Sequence, residues 1–136
     1  LCKARVGIKM EMGISGVQMA TRFVTTYECD AAEAYKQSYI NARKEDIVIV
    51  QSPVGMPGRA ILNPFMQKAK TGKIPHGQCH SCISTCNPSE TPYCITDALV
   101  NAAVGRIEDA LLFCGANAWR AEKLEHVKEI MEEFRP

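Results

Sequence analysis

The chain has 136 residues and a mass of 15.0 kDa, enough for one domain and too little for two. Hydrophobic residues make up 46% and charged residues 23%, a balance that excludes a disordered chain. Lys and Arg number 16 against 15 Asp and Glu, a formal charge of +1 without a basic block, so composition offers nothing to nucleic acid or a membrane surface. No apolar run approaches the roughly 18 to 20 residues of a membrane span, and no signal-peptide pattern opens the chain.

Residues 1–12 read as a helix that Gly13 would end. Gly16-Val17-Gln18-Met19 and Ala20-Thr21-Arg22-Phe23-Val24 read as a short strand buried on both faces. Asp30 with Glu33 predicts a capping pair, and Ala32, Tyr35, Tyr39 and Ala42 then recur at helical spacing, which places a helix over about 31–42. Asp46 to Gln51 is rich in β-branched residues and predicts a strand. The segment 53–59 holds two prolines and two glycines and reads as irregular.

Asn63-Pro64 has the cap-then-proline pattern of a short helix that Gly72 would stop. Residues 73–93 show no apolar period and are broken by Pro75, Gly77, Pro88 and Pro92; a loop of that length tends to be functional or held by a ligand. Thr96 is expected to cap a helix to about Val104, closed by Gly105. Ala110 to Cys114 reads as a strand, and Leu124, Val127, Ile130, Met131 and Phe134 make the apolar stripe of a last helix. Alternation of this kind indicates α/β architecture, with helices needed on both faces of any parallel sheet. Three short strands are few for such a sheet, so the chain reads as part of a sheet protein. It opens on Leu1 rather than Met, which fits processing or a longer parent.

Gly16 to Phe23 could serve an anion: Ala20 lets the backbone approach and Thr21 adds a hydroxyl, as at phosphate sites after the last strands of (β/α)8 barrels. The alternative is a buried strand that Thr21 merely caps. These residues closely resemble the final barrel strand of nitronate monooxygenases, formerly 2-nitropropane dioxygenases, and are similar to flavin-type enoyl-acyl-carrier-protein reductases. Ser52 to Ile61 followed by Asn63-Pro64-Phe65 resembles the segment after that strand, and Pro92-Tyr93-Cys94-Ile95 and Phe113 to Ala118 resemble the family's C-terminal region. The resemblance runs from about residue 10 to 134.

The resemblance implies the C-terminal part of an FMN-binding (β/α)8 TIM barrel with an appended region. Residues 1–30 would form the last barrel unit and 31–136 the appended helices, cysteine-rich loop and terminal helix. Gln18, Met19, Ala20 and Thr21 would hold the FMN phosphate, with Ala20 standing where the family usually has Gly. The family's Gly-Gly phosphate loop and its histidine base on the carbon acid would lie upstream. No catalytic residue is assigned here: His76, His80 and His126 do not match that motif. A barrel needs roughly 250 residues, so its missing portion or another chain is an expected partner, beside a small-molecule substrate.

Seven cysteines, four of them between Cys79 and Cys94, stand apart from this frame. With no secretory signal the expected compartment is a reducing cytosol, where clustered thiols bind metal or stay free. Cys79, Cys82, Cys86 and Cys94 could wrap one tetrahedral zinc ion or an iron–sulfur cluster, giving an otherwise unpacked loop its order. The C-x2-C-x3-C part resembles the iron–sulfur loop of flavin-dependent dienoyl reductases, though the downstream spacing is shorter. Plain reduced thiols are the alternative, and His76 and His80 are spare nitrogen ligands. Cys2, Cys29 and Cys114 read as core fillers. Arg59 could meet a phosphate or lie on the surface; Trp119 beside Arg120 could stack on a ring or anchor the last helix.

Overall fold

The structure is a computed structural model and describes residues 13, 15, 16, 18–75 and 77–134. The helix expected over 1–12, Cys2 and His76 lie outside the described residues. In chain order the elements are α1 (Thr21–Val24), α2 (Glu33–Ile40), β1 (Ile47–Gln51), β2 (Pro57–Ile61), α3 (Pro64–Thr71), α4 (Ile95–Ala103) and α5 (Val127–Glu132). Single 3-10 turns at Lys44–Asp46, Ile107–Asp109 and Ala118–Arg120 link them. No helix of the described residues is long and apolar enough to cross a membrane.

The sheet is an antiparallel hairpin in which Ile47 faces Ile61 and Gln51 faces Pro57. The prolines and glycines of 53–59 read as irregular, yet its last three residues, 57–59, are strand. Pro57 sits at the first position of β2, where a missing N–H costs no ladder bond. The turn before it closes through Gly55 N–H donating to the Ser52 carbonyl at 3.1 Å. The expected strand over 110–114 is reduced to a bridge between Ala60 and Phe113, but it still lies along β2: Ile61 N–H donates to Leu112 O at 3.0 Å and Cys114 N–H to Arg59 O at 2.8 Å. Pairing in this small sheet is antiparallel, unlike the parallel pairing that the order of elements suggested.

Alternation along these segments feeds two cores. Ile61, Ala110 and Leu112 pack with Tyr39 and Ala42 from α2 and its C-terminal end, and with Ala102 and Ala118. Ala60 and Leu111 turn the other way, onto Val50, Phe65 and Met66 of α3, Tyr93 and Ala98. Leu111, Leu112, Ala60 and Tyr39 are sealed from solvent. Tyr39 is buried with its hydroxyl satisfied: it donates to Phe113 O at 2.6 Å and lies 2.9 Å from the Tyr35 hydroxyl. Burial and the neighbouring Tyr35 push its pKa well above the usual phenol value.

Asn63 does what its position predicted. Its Oδ1 accepts Met66 N–H at 3.0 Å, Pro64 opens the helix, and Gly72 closes it. Its amide also donates to Ile107 O at 2.9 Å and Ala110 O at 2.7 Å, pinning the start of α3 to the strand-like segment. Three local expectations fail. Helix α2 begins after Ala32 with no side-chain cap, because Ala32 N–H is taken by Ala103 O at 2.9 Å and Glu33 accepts from the Gln37 amide instead. Thr96 lies inside α4 rather than capping it, its hydroxyl directed to Cys82 Sγ at 2.9 Å.

The third concerns Ala20 to Val24, which is a helical turn, not a strand. Phe23 N–H reaches back to Ala20 O at 2.9 Å, and the Thr25 and Thr26 hydroxyls donate to the Arg22 and Phe23 carbonyls at 3.2 and 2.8 Å. Four apolar or small residues carry too little periodicity to separate a turn of helix from a strand. Gly16 and residues 18–20 carry no regular structure.

Candidate functional site

Thr21 fixes the site. Its hydroxyl oxygen accepts the Gly115 N–H at 2.8 Å, joining segments 94 residues apart. A β-carbon at Gly115 would come within 3.2 Å of that oxygen, so glycine is what lets the backbone approach. Thr25 and Thr26, both buried, continue the contact: Glu125 N–H donates to Thr25 O and Tyr27 N–H to Glu125 O, each at 3.1 Å. Below them Arg22 forks between two carboxylates, meeting Glu133 at 2.6 Å and Glu125 at 3.0 Å. Donating hydrogen bonds to Glu133 and then to Glu125 raises the Arg22 pKa, and the bond to Glu133 holds that carboxyl below its usual range.

Between these segments opens a cavity of about 520 Å³. One wall is residues 18–22 with Thr25; the other is 115–118 and 120–123, with Glu125 and Glu133 completing it. Gln18 and Ala20 are exposed and Met19 and Thr21 half-buried, so all four residues predicted to hold a phosphate line this cavity together. The opposite wall was not read from the sequence as part of a site. The signal for it was the run Gly115 to Ala118, small residues that allow close backbone approach. Arg120 lies over the Trp119 ring at 5.0 Å, so that pair stacks on itself. Arg59 is exposed and does not line the cavity.

The lining carries Arg22, Arg120 and Lys123 against Glu122, Glu125 and Glu133. Because Arg22 is already engaged with two of those carboxylates, the cations left to a ligand are Arg120 and Lys123. The Thr21 hydroxyl, which accepts from Gly115, still has a proton to donate. With the Gln18 and Asn117 amides, the donor set suits a phosphate or a polar heterocycle.

A second cavity, of about 330 Å³, belongs to the loop before α4. Cys79, Cys82, Cys86 and Cys94 all line it, with His80 between them. Cys79 and Cys82 are exposed, and Cys86 and Cys94 half-buried. The ligand atoms that lie within 4.8 Å of one another are those of His80, Cys94 and Asp97. Asp97 was not singled out in the sequence; it faces the loop only because α4 turns it there. Cys114, expected as filler, is half-buried against the first core, and burial pushes its thiol up to about 11. Cys29 is half-buried.

The nitronate monooxygenase family profile matches residues 3–136. A protein of Staphylococcus haemolyticus described as a probable nitronate monooxygenase is 27% identical over 129 residues, covering 89% of this chain and 31% of the relative. A namesake from Staphylococcus saprophyticus is 37% identical over 59 residues, 43% of this chain and 17% of the relative. Among solved structures, FabK from Thermotoga maritima superposes with a TM-score of 0.70 at 27% identity, over 92% of this chain and 37% of that one. The chain thus spans about a third or less of these relatives. A profile match over nearly the whole length, with a matching fold, makes this chain a member of the nitronate monooxygenase family.

Proposed function

We propose that this chain is the C-terminal portion of an FMN-dependent oxidoreductase, and that Gln18, Met19, Ala20 and Thr21 form the wall that holds the flavin phosphate. One observation carries the reading: these four residues share a cavity of about 520 Å³ with the Gly115 segment to which Thr21 is bonded. The residues fit the group. Small side chains at Ala20, Gly115, Ala116 and Ala118 leave backbone accessible on both walls, and hydroxyl, amide and two cations supply donors. Bound FMN would supply the electron transfer. Thr21 would donate its hydroxyl proton to the anion while Gly115 holds that oxygen in place, and the Arg22 fork would keep two carboxylates turned away from it.

The remaining barrel strands and the base acting on the substrate fall upstream of these residues or on another chain, and this chain is assigned no catalytic residue. Alkyl nitronates, oxidised with loss of nitrogen, are the first substrate class by family; the likeness to flavin-type enoyl reductases makes enoyl thioesters the second. Six free cysteines among the described residues accord with a reducing, cytoplasmic setting.

The test is the absorption spectrum and FMN affinity of the full-length protein that carries this chain. It should copurify with flavin, and Thr21→Val should weaken FMN binding roughly tenfold to a hundredfold, the worth of a hydrogen bond to a charged group. Thr21→Ser keeps the hydroxyl and should restore most of the affinity. Protein that takes up no added FMN, or a folded Thr21→Val that binds it as the parent does, overturns the reading.

A further inference from the structure

We infer that the loop before α4 is a zinc site of mixed imidazole and thiolate ligands, in which His80 and Cys94 are the converging pair, Asp97 orients the imidazole, and the loop thiols complete the tetrahedron. The flavin reading does not use this region.

Convergence is the first ground. His80, Cys94 and Asp97 come from a loop and from the first turn of α4, yet their ligand atoms gather within 4.8 Å. The His80 Nε2 to Asp97 Oδ1 distance of 2.6 Å is a hydrogen bond, too short for two ligands of one ion. A carboxylate on one ring nitrogen fixes the ring and leaves the other nitrogen for a metal, the usual arrangement behind a zinc-bound histidine. Asp97 therefore sits behind His80 rather than on the metal.

The sulfurs give the second ground. Cys79, Cys82 and Cys86 line the same cavity of about 330 Å³ as Cys94 and His80, so thiol ligands are at hand. Two of the sulfurs already act as acceptors: Ser81 N–H points to Cys79 Sγ at 3.4 Å, and the Thr96 hydroxyl to Cys82 Sγ at 2.9 Å. Metal-bound thiolate keeps lone pairs for such donors. Ser81 reaches its place with φ of 51°, the one non-glycine residue in the left-handed region among those described. That conformation costs free energy and recurs at ligand clamps.

The third ground is a loop without another reason for order. From Gly77 to Glu90 no residue is fully buried, and neither core draws on it. Lys73 crosses it, donating to the Pro88 and Ser89 carbonyls at 2.7 and 2.8 Å, a tie between exposed backbone segments that brings no apolar packing. Zinc suits this donor mixture. It accepts nitrogen and sulfur together in tetrahedral geometry, whereas the usual iron–sulfur clusters take thiolates throughout. Each thiol would release its proton to solvent as the metal binds.

The experiment uses the full-length protein purified under reductant, with zinc and iron measured by elemental analysis and Zn2+ affinity by competition with a chromogenic chelator. About one equivalent of zinc per chain and no stoichiometric iron are expected, and Co2+ in its place should show sulfur-to-metal charge transfer on a tetrahedral d–d spectrum. Asp97→Asn should lower Zn2+ affinity about 10- to 100-fold, and Cys94→Ser should abolish stoichiometric binding. Absence of zinc both as purified and after Zn2+ addition overturns the site, as does stoichiometric iron. Wild-type affinity in His80→Ala overturns the ligand set. The cobalt spectrum of the unaltered protein stands even where a variant misfolds, and none of these readouts depends on flavin.

Discussion

The two cavities are built in opposite ways. The larger one is closed by contacts between segments about a hundred residues apart: Thr21 to Gly115, Thr25 to Glu125, Arg22 to Glu133. The smaller one draws its sulfurs and its histidine from a stretch of sixteen residues, plus Asp97 one turn into a helix. The first inherits its shape from the packed sheet and helices, since Phe113 and Gly115 continue the segment that buries Leu111 and Leu112. The second has no core of its own. A cavity shaped by long-range packing should fail when the fold fails, while a cavity shaped by a loop should be separable from it.

The sharpest way to break that contrast is to cut the core. Leu111→Ala should destabilise by about 2 to 5 kcal/mol in denaturant unfolding, while Ile83→Ala, in the loop, should cost less than about 1 kcal/mol. Equal losses would mean that the loop is part of the core's cooperative unit. Next in size is Gly115→Val, whose added carbons press on the Thr21 hydroxyl; a loss of about 1 to 3 kcal/mol is expected, together with weaker FMN binding. Its thiol accessibility at Cys79 and Cys82 should be unchanged.

Arg22→Met tests the ionic closure of the larger cavity. The fork is partly exposed, so a loss near 1 kcal/mol at neutral pH is expected in denaturant unfolding. Glu133 has a lowered pKa because Arg22 bonds to its ionised form; its contribution is therefore present above the ordinary carboxylate value of 4.5 and disappears as pH falls through the lower folded value. Stability curves of parent and variant should converge in acid. If the gap stays constant with pH, the loss comes from packing of the arginine stem. The smallest effect belongs to Lys73→Met: two exposed hydrogen bonds should be worth under about 1 kcal/mol of global stability, while cleavage of the loop by protease should quicken.

Local chemistry was legible where one or two residues decide it. Asn63-Pro64 announced α3, the β-branched run announced β1, and Gly105, at φ of 85°, ends α4 as expected. The cysteine spacing pointed to the smaller cavity. Reading failed where the deciding partner was remote. Pro57 and Gly58 look like a loop until β1 and Phe113 lie beside them, and Ala20 to Val24 looks like a strand until the threonine hydroxyls turn back on its carbonyls. One wall of the larger cavity, residues 18–21, was singled out through resemblance to a family; its opposite wall was not.

Sequence alone thus determined the family, the order of most elements, and which residue types could meet an anion or a metal, because those depend on side-chain chemistry at short spacing. Tertiary structure decided that Gly115 meets Thr21, that Arg22 is spent on two glutamates, and that Asp97 stands behind His80. Each of these joins atoms whose proximity is set by how the sheet and helices bury Leu111, Leu112 and Tyr39, and no local pattern encodes that closure.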